Sequence, residues 1–526
     1  MSHSPSPHHT HSSSCGSGKP SLAAELQDSF LTLDRRKFLT RAAALSALPT
    51  LCGCFATNPV TGQRAFVGSM DTQAEIQFGR ENHEAAKAQF GGTYDNPRVQ
   101  RYVNEMGQEL ARNAERQDLT YTFTVLNTDL MNAFAMPGGY VYITRGILAM
   151  SDNEAELAGV IGHEIGHVAA LHSAQRFGRQ QALGIGTVLG SIAAGVLGGG
   201  ELARTVAETG QSLGGMMLAG WGRDQELEAD RLSVNYLSRS GFDPRGMVSF
   251  LSKLRQDSQL QAKIAGRDPR IVDQTHAMAT HPRTIDRVQQ AIGPAEAAVG
   301  ANPRVGKDRH LDMIDGMIFG SDPKEGVVYG RTFKHPTLRV AFTAPEEAPI
   351  KNQPDAVYVI LGKDGQVRFD APSKKKVKTL DQALVATFDN KRPRDAERIR
   401  INGMPAITGS GRGNSKIGPI DQRVVIADGG DRFFRFIIFT RQAATQSYAR
   451  DLRRMTYSLR RLSRREASAI RPKILKVVRA RRGQTGRSFA QRLPYEEFKV
   501  ERWEVLNGMP AGIVLRAGER IKTVSS

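Results

Sequence analysis

Two histidines with a glutamate between them form the part of the chain best suited to chemistry. His163 and His167 lie in the stretch NEAELAGVIGHEIGHVAALH (153–172), whose small and apolar residues predict a buried helix. Positions i and i+4 share one helix face, so both imidazoles can bind one Zn²⁺ at about 2.0–2.1 Å. Glu164 is turned by about 100° from His163, which places it off the metal but near a metal-bound water. The spacing therefore predicts a zinc site with Glu164 as the general base.

A catalytic zinc needs a third protein ligand and an open position for water. Residues 222–244, GRDQELEADRLSVNYLSRSGFDP, predict a second helix closed by a glycine and a proline. Glu226 and Asp230 share one face of it. We expect Glu226 to be the ligand and Asp230 to orient a ligating imidazole, with Glu228 as the weaker candidate on another face. Two histidines and one glutamate favour zinc, one ion per chain.

The segment NAFAMPGGYVYITRG (132–146) predicts a turn at Pro137-Gly138-Gly139, followed by a strand from Tyr140 to Thr144. An exposed strand beside the metal helix would pair with an extended peptide through main-chain hydrogen bonds. An ordinary internal strand is the equal alternative. The residues expected to contact substrate are Gly139, Tyr140, Val141 and Tyr142.

The cysteines, Cys15, Cys52 and Cys54, all lie in the first 54 residues, so the rest of the chain has no disulfide and no thiolate metal site. Residues 34–54, DRRKFLTRAAALSALPTLCGC, are typical of a twin-arginine secretion signal ending in a lipobox. We therefore expect a leader over residues 1–54, lipidation of Cys54, and a periplasmic protein anchored to the outer membrane. A buried N-terminal helix is the alternative.

The length of 526 residues predicts several domains. The expected fold is multidomain α+β. A mainly helical metalloprotease domain with a small sheet covers 55–300, a linker covers 301–332, and an α/β module covers 333–466. A small βααβ module covers 474–526.

Within the α/β module, apolar runs predict four strands and a helix. The strands are Arg339–Phe342, Ala356–Leu361, Arg423–Ala427 and Phe433–Phe439. The helix carries an apolar stripe of Tyr448, Leu452, Met455, Leu459 and Leu462. Its other face carries Arg450, Arg453, Arg454, Arg460 and Arg461.

Residues 58–290 resemble the zinc metalloprotease family of the CAAX prenyl protease and HtpX, in its soluble BepA-like branch. Besides HEIGH, the matching motifs are NPVTGQ (58–63), NAFAMPGGYVYITRG (132–146), ELEAD (226–230) and THPRTIDR (280–287). The resemblance implies a gluzincin endopeptidase with Glu226 as the third zinc ligand. It also implies that His281 stabilises the oxyanion or acts as a reversible fourth ligand. Arg287 would orient His281 or contact substrate.

The last segment, 477–524, resembles a degenerate LysM module, with Gln484 in place of the usual Asp. This resemblance implies peptidoglycan as a partner, and a structural tail is the equal alternative. The net charge of +19 indicates an anionic neighbour. Secretion and the lack of a recognition motif exclude nucleic acid as that neighbour.

The uncharged run ALGIGTVLGSIAAGVLGGG (182–200) predicts a mobile lid, with a membrane span as the alternative. The residues together predict an endopeptidase for misfolded or stalled proteins of the bacterial envelope, held at the membrane by a lipid anchor. A gated zinc-bearing chaperone or scaffold and a protein that binds the cell wall are the alternatives.

Overall fold

The structure is a computed structural model, and it describes residues 55–179, 181–182, 221–264, 266–270, 293, 296, 302–353, 356–391, 393, 395–415 and 418–526. Several predicted features lie outside these residues: the leader with Cys54, His281, Arg287, and the uncharged run except Ala182. Residues 55–526 form one structural unit.

Helices dominate the first half of the chain, and a small sheet packs against them. In chain order the elements are β1 (Phe55–Thr57), β2 (Arg64–Phe66), α1 (Thr72–Gln89), α2 (Pro97–Ala111), β3 (Thr122–Leu126), β4 (Ala133–Met136), β5 (Tyr140–Thr144), α3 (Arg145–Met150), α4 (Glu154–Ala169), α5 (Arg223–Arg239) and α6 (Gly246–Ile264). Residues 172–179 are also helical.

Strands dominate the second half. In chain order the elements are α7 (Lys307–Ile314), β6 (Ile318–Phe319), β7 (Val327–Tyr329), β8 (Thr332–His335), β9 (Val340–Thr343), β10 (Ile350–Asn352), β11 (Val357–Leu361), β12 (Gly365–Asp370), α8 (Leu380–Thr387), β13 (Glu397–Ile401), β14 (Met404–Ser415), β15 (Gly418–Asp428), β16 (Phe433–Arg441), α9 (Thr445–Tyr457), β17 (Arg460–Arg461), α10 (Arg464–Ala469), β18 (Lys473–Arg479), α11 (Gly486–Ala490), α12 (Lys499–Asn507) and β19 (Arg520–Ser525).

Helix α4, which carries the HEIGH motif, is the centre of the first half. All of its residues are buried, and it packs against α2, α5, α6 and strand β4. A helix without a polar face is stable only where other elements surround it. Its first turn is capped by Asn153, whose side chain accepts a hydrogen bond from the Glu156 backbone N–H at 2.9 Å. The buried surroundings therefore hold the motif in a fixed place.

The small sheet beside α4 has the strand order β3-β5-β4. Strand β5 pairs in parallel with β3 and antiparallel with β4. The turn between β4 and β5 passes through Gly138 and Gly139, whose φ values of 83° and 85° favour glycine. Strand β5 is therefore the central strand, and β4 is the edge strand next to the metal helix.

The module predicted as α/β contains a seven-stranded antiparallel sheet instead, with the order β10-β11-β12-β16-β15-β14-β13. That prediction was wrong because parallel strands need crossovers of a dozen or more residues, whereas two residues separate β13 from β14. Helix α8 covers one face of the sheet and helix α9 covers the other. The module is thus β-rich, and the whole chain is multidomain with helices and sheets.

The predicted helix of this module is shorter than its apolar stripe suggested. Helix α9 ends at Tyr457, whereas Leu459 and Leu462 are buried in the extended chain after it. There Arg460 and Arg461 form strand β17, which pairs with β9. Apolar residues at helical spacing fit an extended segment equally well when a neighbouring sheet edge satisfies its backbone groups.

The predicted linker, residues 301–332, contains helix α7 and strands β6 and β7. Strand β6 pairs with β18 near the C-terminus, and the pairs are Lys473 with Phe319 and Ile474 with Ile318. Elements β18, α11, α12 and β19 follow the βααβ order, and β18 pairs antiparallel with β19. The likeness of this C-terminal module (473–526) to LysM stays a prediction.

The C-terminal module shares one apolar core with the metalloprotease domain, to which it contributes Trp503 and Leu475. Lys522, which is 1% exposed, makes the polar part of this junction. Its Nζ donates hydrogen bonds to the last carbonyls around α3, at 2.9 Å to Ala149, 3.0 Å to Met150 and 2.9 Å to Ser151.

Asp152 completes this buried junction. Its Oδ1 lies 2.8 Å from Lys522 Nζ and 2.7 Å from Lys253 Nζ. Burial alone would raise the pKa of Asp152, but the two ammonium groups outweigh burial and hold that pKa well below its usual range. The Asp152 carboxylate therefore stays charged. Because Asp152 directly precedes Asn153, the cap of α4, its pair with Lys522 joins strand β19 to the start of that helix.

Among the helices in the described part of the chain, none has the length and apolar character needed to cross a bilayer.

Candidate metal centre

The end of α4 brings a third histidine into the site. Leu171 adopts a left-handed conformation with φ of 58°, which ends the helix, and Asn58 Nδ2 donates to the freed Ala170 carbonyl at 3.2 Å. The chain then turns so that His172 Nδ1 lies 2.8 Å from His167 Nδ1. This contact was absent from the sequence-based prediction, although His172 lies in the same motif stretch.

Helices α4 and α5 approach each other closely enough to share a metal ion. A Cβ atom on Gly166 would lie 3.1 Å from the Ala229 carbonyl oxygen, and one on Gly162 would lie 3.1 Å from Ser233 Oγ. Both distances are tighter than ordinary side-chain contacts, so the glycines allow this spacing. The two helices consequently place Glu226 opposite the two histidines of the motif.

His163, His167 and Glu226 together offer three ligand atoms within 4.8 Å of one another, and all three side chains are fully buried. The two Nε2 atoms are 3.0 Å apart, and the Glu226 oxygens lie 3.6 Å from His163 Nε2 and 3.4 Å from His167 Nε2. Ligands at 2.0–2.1 Å from a tetrahedral zinc are about 3.3 Å apart. The donor set and its spacing therefore fit a zinc ion.

Each histidine of the pair has a partner for its other ring nitrogen. Asp230 Oδ1 lies 3.0 Å from His163 Nδ1. His172 occupies the equivalent place beside His167, and Glu228 Oε2 lies 3.1 Å from His172 Nε2. Such contacts fix ring orientation and leave Nε2 directed at a metal. Glu228, the weaker candidate for a ligand, is thus placed as a neighbour of His172.

Burial controls the charge of His167. It lowers the pKa of this imidazole well below the usual range, and the nearby Glu226 opposes the shift only in part. His167 is therefore neutral at pH 7, which is the form that binds metal ions. Glu164, one residue after His163, is also buried, with 1% of its surface exposed.

A wall of two further side chains lies beside His167. The Trp221 ring stacks on the His167 ring at 4.6 Å and 22°, and the Arg176 guanidinium carbon lies 3.6 Å from the Trp221 ring centre. Burial lowers the pKa of Arg176 to about 10, while Glu226 acts in the opposite direction. No spacing rule in the sequence pointed to these two residues, since the fold alone brings them to the site.

The structure contradicts the prediction that strand β5 is an exposed strand that pairs with substrate. Strand β5 is paired along both edges, so its backbone has no free side for a peptide. Val141 and Tyr142 are fully buried, Tyr142 hydrogen-bonds His83 at 2.8 Å, and the Gly139 carbonyl accepts from the Thr122 N–H at 2.9 Å. Tyr140, half-buried, belongs to the same inner strand. Sequence pattern could not show that residues 133–136 form a separate outer strand.

Comparison with known proteins adds a second line of evidence. The sequence profile of peptidase family M48 matches residues 97–295. The metalloprotease LoiP of Escherichia coli is 31% identical over 191 residues, which are 36% of this chain and 67% of LoiP. The chain belongs to peptidase family M48.

Other proteins are similar to part of this chain. The beta-barrel assembly-enhancing protease of Escherichia coli is 34% identical over 204 residues, 38% of this chain and 39% of that protein. The mitochondrial metalloendopeptidase OMA1 of Schizosaccharomyces pombe is 30% identical over 153 residues, 29% of this chain and 43% of that protein. The chain therefore matches about two fifths of the length of the assembly-enhancing protease. The M48 core ends before the β-rich module and the C-terminal module begin.

Proposed function

We propose that this M48 protein is a zinc-dependent endopeptidase of the bacterial cell envelope, which hydrolyses peptide bonds in misfolded or stalled envelope proteins. The observation that carries the proposal is the buried set of His163, His167 and Glu226, with Glu164 in the same helix turn. The names of the relatives support both the proposed metal-dependent proteolysis and the proposed envelope substrates, since one relative is a beta-barrel assembly-enhancing protease and others are metalloproteases.

The proposed metal ligands are His163, His167 and Glu226, which hold one zinc ion. A bound zinc ion supplies Lewis acidity, which polarises a peptide carbonyl and acidifies a water molecule. Asp230 holds His163 and His172 holds His167, so that neither imidazole has to be reoriented when the ion binds.

Glu164 is the proposed general base. It takes the proton of the attacking water and later returns it to the leaving amine, which a carboxylate beside the ligands can do without leaving the helix. His281 is the candidate for oxyanion stabilisation or for a reversible fourth ligand, and Arg287 is the candidate for orienting it. Both assignments rest on the resemblance of THPRTIDR (280–287) to the family motif.

Strand β4 is the proposed binding edge for substrate. It contacts α4, and no other strand of the described residues pairs with its outer side. The opposite edge of the sheet is covered, since Gln100 hydrogen-bonds the backbone of Val125 at both N and O. An extended peptide added to β4 would pass directly over the metal helix, and main-chain pairing gives affinity with little side-chain specificity. This property suits unfolded substrates of varied sequence.

The envelope location is part of the same proposal. The twin-arginine leader directs the chain to the periplasm, and lipidation of Cys54 holds it at the outer membrane. The C-terminal module would bring peptidoglycan into reach. These assignments depend on the sequence patterns alone.

Removing the metal tests the enzyme. The purified chain is dialysed against a chelator and then assayed with unfolded casein, with and without one equivalent of Zn²⁺. We expect cleavage to stop after dialysis and to return with zinc, because Glu164 alone is a weak catalyst without a Lewis acid. Cleavage that continues at the original rate in the metal-free protein would refute the proposal. Zinc binding without cleavage would favour the alternative that the protein is a zinc-bearing scaffold. This is the second candidate function because Glu164 is buried.

Asp230→Asn tests how the ligands are held. An asparagine keeps the size of the side chain but removes its charge, so His163 keeps at most a neutral acceptor and loses the carboxylate that raises its basicity. We expect zinc affinity to fall by about 10- to 100-fold, measured by competition with a fluorescent chelator. Asp224→Asn is the matched control, because Asp224 is exposed on the same helix and should leave affinity unchanged. Equal affinities in the two variants would disprove the role of Asp230.

A further inference from the structure

A cavity of about 280 Å³ lies at the junction between the M48 core and the C-terminal module. The lining comes from helices α3 and α6 of the core, from strand β6, and from β18, α12 and β19 of the C-terminal module. Small-molecule pockets in proteins begin at about 300 Å³, so this cavity has room for a compound smaller than a typical drug. It is separate from the metal centre, because none of the zinc-binding candidates lines it.

Arg145 is the most buried charged group in the wall of this cavity, with 1% of its surface exposed. Its Nε donates to Asn127 Oδ1 at 2.7 Å, and its Nη1 donates to the carbonyls of Ile318 at 2.7 Å and Gly320 at 3.1 Å. Its Nη2 has no hydrogen-bond partner among the described residues. A buried guanidinium nitrogen is costly to leave unpaired, so Arg145 brings an incompletely paired positive charge to the wall of the cavity.

Two further cations line the cavity on the side of the C-terminal module. Lys473 Nζ and the Arg502 guanidinium carbon each lie 4.4 Å from the ring centre of Tyr495, on which both pack. Burial, and then the like charge of Arg502, lower the pKa of Lys473. An anion bound near Tyr495 would relieve the repulsion between Lys473 and Arg502. Without an anion, this repulsion lowers the stability of the folded protein.

Two carboxylates of the lining, Asp129 and Asp257, offset part of this positive charge. Asp129 is exposed and accepts a hydrogen bond from Ser321 Oγ at 3.4 Å. Asp257 accepts from Gln261 at 3.2 Å, and burial raises its pKa above the usual range. The lining therefore carries three cations against two carboxylates, and its net charge stays positive.

The rest of the lining is largely apolar. It includes side chains from the core and from the C-terminal module, namely Met131, Leu260, Phe319, Leu493, Leu506 and Val524. A ligand that satisfies both parts of the wall must carry one anionic group and a short apolar tail. Carboxylate fits the anionic part, because its two oxygens accept from guanidinium and ammonium donors at once.

We propose that this cavity binds a small organic carboxylate with a short apolar tail, whose oxygens pair with Lys473 and Arg502, while the buried charge of Arg145 adds to the attraction. The tail lies against the apolar residues of both modules. Since the ligand touches both sides of the junction, its binding stabilises the attachment of the C-terminal module. Two sources share this chemistry, namely free short-chain acids and the C-terminal residue of a peptide.

Calorimetry with the purified full chain tests the proposal, with hexanoate as the probe and hexanol as the control of equal tail length. We expect hexanoate to bind at least tenfold more tightly than hexanol and to raise the melting temperature. The peptide acetyl-Ala-Ala-Leu, compared with its C-terminal amide, distinguishes the two sources. Tighter binding of the free peptide than of hexanoate assigns the site to chain ends, and the reverse assigns it to free acids.

Two variants make the test specific. Arg145→Met removes a buried charge, and Arg502→Gln removes a partly exposed one. We expect each to weaken hexanoate binding at least tenfold and to leave hexanol binding unchanged. If Arg145→Met does not fold, Arg502→Gln alone decides. Equal binding of hexanoate and hexanol, no binding of hexanoate at 10 mM, or unchanged hexanoate binding in Arg502→Gln would each overturn the proposal.

Discussion

Replacing Glu164 by Gln is expected to lower the rate of casein cleavage by about 10²- to 10⁴-fold while the protein keeps its zinc. The amide has the size of the carboxylate, so the buried helix α4 stays packed. It cannot accept the proton of the attacking water, and the reaction loses its general base. His163, His167 and Glu226 are unchanged, so the metal content measured by atomic emission should equal that of the wild type.

Glu228→Gln is the matched control for this experiment. Glu228 is another carboxylate of the site region, but it contacts His172 and lies outside the set of proposed ligands. We expect its replacement to reduce cleavage less than about tenfold, since it changes only the orientation of His167 through one intermediate residue. If Glu164→Gln cleaved casein as fast as Glu228→Gln, a different residue would have to be the base.

Lys522→Met is expected to destabilise the protein by about 3 kcal/mol, because breaking a buried charge pair leaves groups without their partner. Methionine fills similar space but donates no hydrogen bond. The carbonyls of Ala149, Met150 and Ser151 then lose a shared donor, and Asp152 keeps only Lys253. The C-terminal strand β19 should detach at a lower urea concentration than in the wild type.

Tryptophan fluorescence can follow this unfolding directly. The chain has two tryptophans, Trp221 and Trp503, and Trp503 is fully buried in the C-terminal module. Measured in a Trp221→Phe background, emission reports on that module alone. Lys476→Met is the control, because Lys476 is exposed on the neighbouring strand β18 and should leave the urea midpoint unchanged. A midpoint for Lys522→Met equal to that of Lys476→Met would show that the junction does not stabilise the module.

The junction of the modules also changes the meaning of the domain boundaries. The pattern of residues separated a protease domain, a linker and a C-terminal module, whereas the structure joins the first and last through β6, Lys522 and one apolar core. Such contacts join residues that are hundreds of positions apart, as Lys522 and Ala149 are. Local patterns carry no information about them, because a buried lysine and an exposed lysine look the same in a sequence.

Strand pairing also shows which features follow from local sequence patterns and which depend on long-range contacts. The alternation in Tyr140–Thr144 was enough to predict a strand, since it depends only on which side chains point to each face. Its place in the sheet depended on the partner strands β3 and β4, which occupy both of its edges. The same holds for α9, where a sheet edge beside Arg460 and Arg461 ended the helix earlier than its apolar stripe suggested.

The sequence by itself determined the parts of the site that depend on local geometry. Four-residue spacing places His163 and His167 on one helix face, and the same spacing places Glu226 and Asp230 on another. Only the tertiary structure decided which carboxylate meets the histidines, that His172 supports His167, and which strand is free at its edge. The physical reason is that helix periodicity is set by neighbouring residues, whereas the approach of two elements depends on packing across the whole core.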